Sequence, residues 1–378
     1  MKAKENPKKI TFIINSLSGG GAEGVCVNIA NGLSELGWDV TLVVLNMNSS
    51  VYHKRINKRV NFITLGVDHA RYALFPIYKF IKNTQTTKLV AFSYDITILL
   101  VLIRMFSPLN YFIFTRNMNS LTQKLNDSSK GVRSRLLKFL ISKLYSKADH
   151  VVNQCKAMES DLLSVFPELD KKTSVIYNAV NQKIERAAKN YNFQGVHKKE
   201  YLLCVGRLEK QKAFHNAIEV FRKISHSYPN MELKIIGVGS LEADLKKHAD
   251  FLGIIDKVEF VGFTENTISY YLHARATLLT SLYEGFPNVL VESITLGTPI
   301  VAFDCSSGPS EIVIPHCNGI LVENQNLDAF AQAINVLLSD NNLQDPKVIK
   351  KTSNSFSNKT ILTDWERLLI KPNRICKL

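Results

Sequence analysis

Two glutamates lie eight positions apart around a Gly-Phe-Pro-Asn sequence in the segment LYEGFPNVLVE. Glu284 precedes the proline and Glu292 follows it. Proline fits the first turn of a helix, where its missing N–H costs nothing, so Pro287 predicts a helix start. The first N–H groups of that helix would point outward, with the positive end of the helix dipole behind them. The segment therefore predicts an anion site.

The N–H groups that would face the anion belong to Asn288, Val289 and Leu290. Glu292 would lie about 7.5 Å beyond Pro287 along the helix axis, at about 1.5 Å per residue. A carboxylate repels a phosphate but accepts hydrogen bonds from hydroxyl groups. The two glutamates therefore suit a ligand with hydroxyls at both ends and phosphate in the middle, as in a nucleotide sugar. The alternative is one glutamate near a helix start and one exposed on the helix.

Two cations lie at the end of a predicted strand, residues 200–207, and in the loop after it. Arg207 ends the strand, and Lys212 comes five residues later in the loop. Both side chains could bind one di-anion, Arg207 as a fork of N–H donors and Lys212 as a point charge. Two solvated surface cations are the alternative.

A glycine cluster, Gly19, Gly20 and Gly21, separates a predicted strand at 10–16 from a predicted helix. Backbone N–H groups there could face an anion at the helix start. The cluster has neither the Gly-Lys-Ser/Thr of a Walker loop nor the spacing of a dinucleotide site, which argues against an NAD-dependent oxidoreductase. A tight turn without a ligand is the alternative.

The candidate loops belong to a regular alternation of strands and helices. Strands are predicted at 10–16, 38–46, 88–93, 111–116, 149–154 and 172–178, and then at 200–207, 231–239, 257–263, 276–282 and 299–303. Apolar strands joined by helices predict parallel sheets that are covered on both faces. Ligands of such sheets bind beyond the carboxyl ends of the strands.

A length of 378 residues predicts two domains. The alternation stops in a polar segment at 181–199, which we interpret as a linker. The predicted boundaries are 1–180 for the first domain, 200–355 for the second and 356–378 for a terminal helix.

Composition points to a cytoplasmic protein. The six cysteines are scattered and form no C-x-x-C pair, which argues against a zinc site or a disulfide framework. We see no signal peptide, and the longest apolar run, at 96–106, is shorter than the roughly 20 residues that a bilayer requires.

The positive charge is concentrated in the first half of the chain. Residues 1–185 hold 25 Lys and Arg against 13 Asp and Glu, whereas the remainder holds 22 against 20. A basic amphipathic segment, Lys130 to Lys147, could lie on the anionic inner surface of a membrane. An ordinary sheet-covering helix is the alternative. Nucleic acid is not the expected partner, because no known binding module is recognisable.

Together these segments resemble a GT-B glycosyltransferase of the retaining family 4, in particular the bacterial enzymes of polysaccharide and glycan assembly. The resemblance covers almost the whole chain and rests on GGGAE, VGRLEKQK, IIGVGSLEADL, EGFPNVLVE, LGTPIVAFD and GPSEIV. It implies an α/β chain with two Rossmann-like βα domains whose parallel sheets face each other across a cleft. It also implies a terminal helix that crosses back onto the first domain.

The resemblance assigns roles to the candidate residues. Glu284 would bind donor-sugar hydroxyls, Glu292 the ribose, and Arg207 and Lys212 the diphosphate, so that Glu284, Arg207 and Lys212 form the catalytic set. The implied donor-binding residues are Gly20, Gly21, Arg207, Lys212, Gly262, Phe263, Glu284, Gly285, Phe286, Asn288, Val289, Leu290 and Glu292. The nucleobase would lie near Gly262 and Phe263. No cofactor and no metal are implied, because the nucleotide sugar is a substrate.

One departure from the family concerns the strand YFIFTR. Many relatives carry a histidine at its end, where this chain has Arg116 and Asn117. Either residue could substitute on the acceptor side, but a permanently charged arginine cannot be a general base. The base that would deprotonate the acceptor therefore has no assignment.

The expected activity is a hexosyltransferase reaction that retains the anomeric configuration. A sugar would pass from a nucleotide sugar, with UDP as the expected nucleotide, to a hydroxyl of a glycan acceptor that is linked to a lipid. The expected setting is the biosynthesis of bacterial surface polysaccharide or lipopolysaccharide. The alternatives are a nucleotide-sugar epimerase on the same fold and a basic nucleic-acid-binding protein.

Overall fold

The structure is a computed structural model. It describes residues 8–48, 50–118, 121–122, 132–193, 197–340, 343 and 345–370. The described residues form two compact units. Unit 1 contains the residues up to Ala179 and those from Asn358 onward, and unit 2 contains Val180–Ser357.

The sheet of unit 1 has seven parallel strands in the order β3-β2-β1-β4-β5-β6-β7. They are β1 (Lys9–Ile14), β2 (Asp39–Val44), β3 (Asn61–Thr64), β4 (Lys88–Ala91), β5 (Phe112–Arg116), β6 (His150–Asn153) and β7 (Thr173–Val175). The central strands are apolar on both faces, because helices cover both sides of the sheet.

Within the described residues, five α-helices with complete bounds lie between the strands of unit 1. They are α1 (Gly21–Glu35), α2 (Leu74–Thr84), α3 (Tyr94–Met105), α4 (Val132–Leu144) and α5 (Lys156–Val165). Helix α1 packs in one hydrophobic cluster and helices α2, α3 and α4 pack in another.

The sheet of unit 2 has six parallel strands in the order β10-β9-β8-β11-β12-β13. They are β8 (Tyr201–Val205), β9 (Glu232–Ile236), β10 (Val258–Gly262), β11 (Ala276–Leu279), β12 (Ile300–Asp304) and β13 (Gly319–Glu323). The two parallel sheets with helical connections confirm the predicted pair of Rossmann-like domains.

Unit 2 contains eight described α-helices. They are α6 (Gln182–Asn190), α7 (Phe214–Ile224), α8 (Glu242–Phe251), α9 (Thr267–His273), α10 (Asn288–Thr295), α11 (Pro309–Ile312), α12 (Leu327–Ser339) and α13 (Pro346–Lys351). Helix α6 lies in the segment that the sequence predicted as a linker. The Asn181 side chain caps it, and Ile184 and Ala188, one turn apart, are buried. Part of the polar segment is therefore a packed helix.

The last described helix, α14 (Asn358–Ile370), belongs to unit 1. Its Trp365 is fully buried and meets Phe12 of β1 edge to face, with ring centroids 6.4 Å apart. A side chain at Gly32 of α1 would collide with Leu362, since an added Cβ would lie 2.4 Å from its Cδ1. Glycine at this position therefore permits the close approach of α1 and α14.

Two edge strands, β3 and β13, were missing from the predicted set. Strand β3 has four residues, none of them buried, and β13 begins with a glycine. Segments of four or five residues give a pattern too short for a strand to be assigned from the sequence alone. None of the helices that the structure describes is both long and apolar enough to cross a lipid bilayer.

Candidate functional site

The predicted donor residues of unit 2 follow neighbouring strands of one sheet. Strands β8 and β11 are paired at the centre, where the strand order changes direction. The loop after β8 carries Arg207 and Lys212, and the loop after β11 carries Glu284. Because the carboxyl ends of parallel strands share one edge, both loops flank the switch point where such sheets bind ligands.

Lys212 and Glu284 form an ion pair at this edge. The Nζ atom of Lys212 lies 2.6 Å from Oε1 of Glu284, and both side chains are largely buried, at 15% and 7% exposed. The hydroxyl of Ser281 donates a second hydrogen bond, also 2.6 Å long, to the same Oε1 atom. The structure thus brings together two of the three predicted catalytic residues and adds Ser281.

The two loops are also joined through their main chains. The N–H of Leu282 donates to the carbonyl of Gln211, and the Gln211 side chain donates to the carbonyl of Tyr283. The hydroxyl of Thr280 donates to the carbonyl of Lys212. These bonds join the loop that carries Lys212 to the loop that carries Glu284, and so they help to hold the two residues of the ion pair together.

The loop after β12 supports Glu284 from a third side. The hydroxyl of buried Ser307 donates to the Glu284 carbonyl. Gly308 has a φ of +93°, and an added Cβ would lie 2.5 Å from Cδ of Pro287. A side chain is therefore excluded there by conformation and by space. Nearby, burial raises the pKa of Cys305 to about 12, and the charge of Glu284 adds to the rise.

Helix α10 begins close to the predicted position. Its first residue is Asn288, with Pro287 as the preceding cap residue, and its first turn carries no acidic side chain. Asn288 and Val289 are partly exposed. Leu290 differs from the prediction, because its side chain is buried and its N–H already donates to the carbonyl of Pro287. The N–H of Leu290 is therefore already used inside the protein and does not point outward toward the predicted anion site.

The second glutamate, Glu292, is partly exposed on α10 and accepts a hydrogen bond from a buried tyrosine. The hydroxyl of Tyr271 on α9 lies 3.1 Å from Oε2 of Glu292. Tyr271 was not among the residues predicted from the sequence, because nothing in the pattern of α9 connects it with a glutamate 21 residues later. Ser281 was also not predicted. Its hydroxyl lies only three residues before Glu284, and this spacing could have indicated a hydrogen bond between them.

Arg207 is in different surroundings from Lys212. Its side chain is exposed and forms no ion pair within the described part of the chain. The sequence predicted that Arg207 and Lys212 bind one anion together. In the structure Lys212 is already paired with Glu284, so this arrangement is not preformed. Glu209, in the same loop, accepts hydrogen bonds from the N–H and hydroxyl of Ser240, and these bonds lower its pKa.

Four further predicted donor residues divide into an exposed and a buried pair. Gly262, the last residue of β10, is partly exposed, and Phe263, which follows it, is 63% exposed. Gly285 and Phe286 are buried instead, and the Phe286 ring packs on Phe356 with centroids 5.7 Å apart. The Phe286 ring is therefore part of the core rather than a surface for a ligand.

The glycine cluster of unit 1 has a carboxylate beside it. Gly20 is the cap residue of α1 and Gly21 is its first residue. Glu23, in the first turn, has its Oε2 atom only 2.4 Å from where a Gly20 Cβ would be. The helix start that was predicted to face an anion therefore already holds negative charge of its own.

Arg116 and Asn117, predicted on the acceptor side, are both buried at 1% exposure. The Arg116 guanidinium donates to the Ile176 carbonyl and to Asn178, and it stacks over the Trp365 ring. Burial lowers the pKa of Arg116. These side chains lie in the interior of unit 1, and their role on the acceptor side stays a prediction.

The basic helix α4 presents both charge and apolar surface. Leu136 and Phe139 are 56% and 57% exposed, and Arg135 and Lys143 are exposed on the same helix. The predicted segment begins at Lys130, which lies outside the described residues. Within those residues, no three His, Cys, Asp or Glu side chains are grouped as metal ligands, and metal independence stays a prediction.

Two protein-family models match this chain. The model described as Glycosyltransferase Family 4 matches residues 19–183, and the model described as Glycosyl transferases group 1 matches residues 187–373. An uncharacterized glycosyltransferase of Haemophilus influenzae is 27% identical over 372 residues, which is 96% of this chain and 100% of that protein.

Two further proteins are similar over most of their length. The Campylobacter jejuni N-acetylgalactosamine-N,N'-diacetylbacillosaminyl-diphospho-undecaprenol 4-alpha-N-acetylgalactosaminyltransferase is 27% identical, over 89% of this chain and 92% of that one. The solved structure of HepE from Anabaena in complex with UDP has a TM-score of 0.76 at 17% identity, and covers 96% of this chain and 99% of that one.

Proposed function

Because this chain belongs to glycosyltransferase family 4 and has the GT-B fold, we propose that it transfers a sugar from a UDP-sugar to a hydroxyl of a lipid-linked glycan. The chain is a glycosyltransferase and hence an enzyme. The proposal concerns the donor, the acceptor and the stereochemistry. The anomeric configuration is retained, and the pathway is the assembly of a bacterial surface polysaccharide or lipopolysaccharide.

The observation that carries the proposal is the Lys212–Glu284 pair. Both hydrogen bonds to the carboxylate, from Lys212 and Ser281, end on Oε1. Among the side-chain hydrogen bonds of the described residues, none ends on Oε2 of Glu284. A carboxylate oxygen held in this way can accept hydrogen bonds from sugar hydroxyls.

The diphosphate lies between Glu284 and Glu292 in this proposal. The Lys212 ammonium has three N–H donors, of which one points to Glu284 and two remain for phosphate oxygens. Exposed Arg207 adds a fork of donors, and the start of α10 adds its dipole. Negative charge grows on the leaving diphosphate during the reaction, so these groups stabilise the transition state.

Retention follows from attack on the face that the diphosphate leaves. The bond between the anomeric carbon and the phosphate oxygen breaks, and the bond to the acceptor oxygen forms. The acceptor proton passes to an oxygen of the departing diphosphate. No protein base is required for this proton transfer, in keeping with the buried position of Arg116 and Asn117.

The relatives and α4 support the proposed lipid-linked acceptor. The Campylobacter relative bears the name of an enzyme that acts on a diphospho-undecaprenol-linked sugar. Helix α4 combines exposed cations with exposed Leu136 and Phe139, a combination that suits an anionic membrane surface. The enzyme then works on the cytoplasmic face of the inner membrane, where it meets a lipid-linked acceptor.

The test of the reaction is a panel of UDP-, GDP- and ADP-sugars, with release of the nucleoside diphosphate measured with and without an undecaprenyl-diphosphate-linked acceptor. We expect acceptor-dependent release of UDP and an α-linked product from an α-linked donor. Conversion of the nucleotide sugar into its epimer without acceptor would contradict the proposal. An inverted product would contradict retention alone.

The membrane surface is tested by flotation with liposomes that contain or lack anionic lipid. Replacement of Leu136 and Phe139 by serine should weaken binding about tenfold or more, because each exposed apolar side chain contributes about 1.5–3 kcal/mol on full burial. Phe251 of unit 2, which is 86% exposed, supplies the control Phe251→Ser. Equal binding to neutral and anionic liposomes would refute docking through α4.

A further inference from the structure

Tyr271 is a fully buried side chain that reaches one of the two predicted donor carboxylates. It lies on α9, and its ring has no exposed surface. Its hydroxyl is 3.1 Å from Oε2 of Glu292, so the tyrosine bonds the carboxylate from inside the protein. Glu292 itself is partly exposed, so its carboxylate lies at the boundary between the core and the donor loops.

The position of Tyr271 is fixed from behind. The hydroxyl of Thr298, which is fully buried, donates to the Tyr271 carbonyl. The Nζ atom of Lys198 donates to Oγ1 of Thr298 at 2.8 Å and to the Leu272 carbonyl at 2.9 Å. Two segments that are distant in sequence, those of Lys198 and Thr298, therefore hold the main chain from which the Tyr271 ring extends.

The hydroxyl of Tyr271 stays protonated at neutral pH. Burial raises its pKa well above the ordinary value, and the charge of Glu292 adds to the rise. A protonated phenol donates its O–H to a carboxylate. Since it adds no charge, it fixes the orientation of the Glu292 carboxylate without neutralising it.

We propose that Tyr271 is a positioning residue for the nucleotide: by holding Oε2 of Glu292, it aims that carboxylate at the ribose hydroxyls of the donor. The inference rests on the proposed function, because it requires that Glu292 binds the ribose. It extends the donor site to a residue that cannot touch the ligand itself. It also predicts that the effect of Tyr271 is transmitted through Glu292 alone.

The experiment compares Tyr271→Phe with Tyr270→Phe by calorimetric titration of UDP, 2′-deoxy-UDP and 3′-deoxy-UDP. Tyr270 is the adjacent residue on α9 and is only partly buried. We expect the unaltered enzyme to bind one or both deoxy analogues about tenfold more weakly than UDP, as loss of a hydrogen bond to a charged group implies. Tyr271→Phe should reduce this discrimination to about twofold, and Tyr270→Phe should leave it unchanged.

The ratio of two affinities measured on one sample does not depend on the folded fraction, so a destabilised variant remains informative. A second arm adds Tyr271→Phe to Glu292→Gln. In that background the tyrosine should have no further effect on ribose discrimination, whereas a purely structural role would persist in both backgrounds.

The possible negative results differ in which claim they contradict. If the unaltered enzyme binds no UDP, the proposed donor is wrong. If it binds UDP and discriminates against the analogues, but Tyr271→Phe does so equally well, the positioning role of Tyr271 is refuted and the proposed function stands. An additional loss from Tyr271→Phe in the Glu292→Gln background would also refute it.

Discussion

The carboxyl edges of the two sheets use the same kinds of residue in opposite ways. In unit 1 the first turn of α1 contains Glu23, and Arg116 at the end of β5 is turned into the core against Trp365. In unit 2 the first turn of α10 has no acidic residue, and Lys212 remains at the edge in a pair with Glu284. Both sheets are parallel and change direction at their centre.

This contrast indicates that sheet topology determines where a site lies but not which chemistry its residues can perform. A cation after a central strand becomes part of a site when it faces a carboxylate beside a ligand-binding loop, as Lys212 does. It becomes part of the core when carbonyl groups and an aromatic ring surround it, as they surround Arg116. We therefore propose that donor binding is concentrated in unit 2, and the following predictions test that proposal.

The largest effect is expected from Glu284→Gln. The substitution keeps the shape and the hydrogen bond from Ser281 but removes the charge that pairs with Lys212. We expect kcat/KM to fall by about 10²–10³, as for the loss of one preorganised polar group, while UDP affinity changes little. Glu265→Gln, on an exposed residue of unit 2, is the control. Retained turnover would show that the unit 2 edge is not the catalytic one.

Arg207→Ala should have the next largest effect. Loss of a charge-assisted contact costs about 1.5–3 kcal/mol, which corresponds to about 10- to 100-fold weaker UDP binding. Uridine, which lacks phosphate, should bind equally well to both forms. Lys210→Ala is the matched control, because Lys210 is an exposed cation in the same loop. Unchanged UDP affinity would remove Arg207 from the diphosphate site and leave Lys212 and α10 to bind it.

Much of this edge could be predicted from the sequence. The alternation of strands and helices placed Arg207, Lys212 and Glu284 on loops of one sheet edge, and the proline marked the start of α10. The pairing of Lys212 with Glu284 could not be predicted, because 72 residues separate them and local patterns do not report such contacts. For the same reason the burial of Arg116 was missed, since it depends on Trp365 near the far end of the chain.

Arg116→Met tests the unit 1 side of the comparison. Methionine keeps much of the apolar stem beside Trp365 but leaves the Ile176 carbonyl and Asn178 without their donor. We expect the free energy of unfolding to fall by about 1–3 kcal/mol, measured by urea titration. UDP affinity should be unchanged, with Arg207→Ala as the contrasting variant. A loss of acceptor turnover without a loss of stability would restore Arg116 to the acceptor side.

The smallest effect is expected from Glu23→Gln at the start of α1. The carboxylate stabilises the positive end of the helix dipole, so its neutralisation should cost about 0.3–1 kcal/mol of stability. If the α1 start binds no phosphate, UDP affinity should not change on this substitution. If instead the α1 start contributes to donor binding, removal of a negative charge beside Gly20 should strengthen UDP binding, and more so at low salt. Stronger UDP binding would thus indicate that the helix starts of both units bind anions, and that they differ only in how strongly they do so.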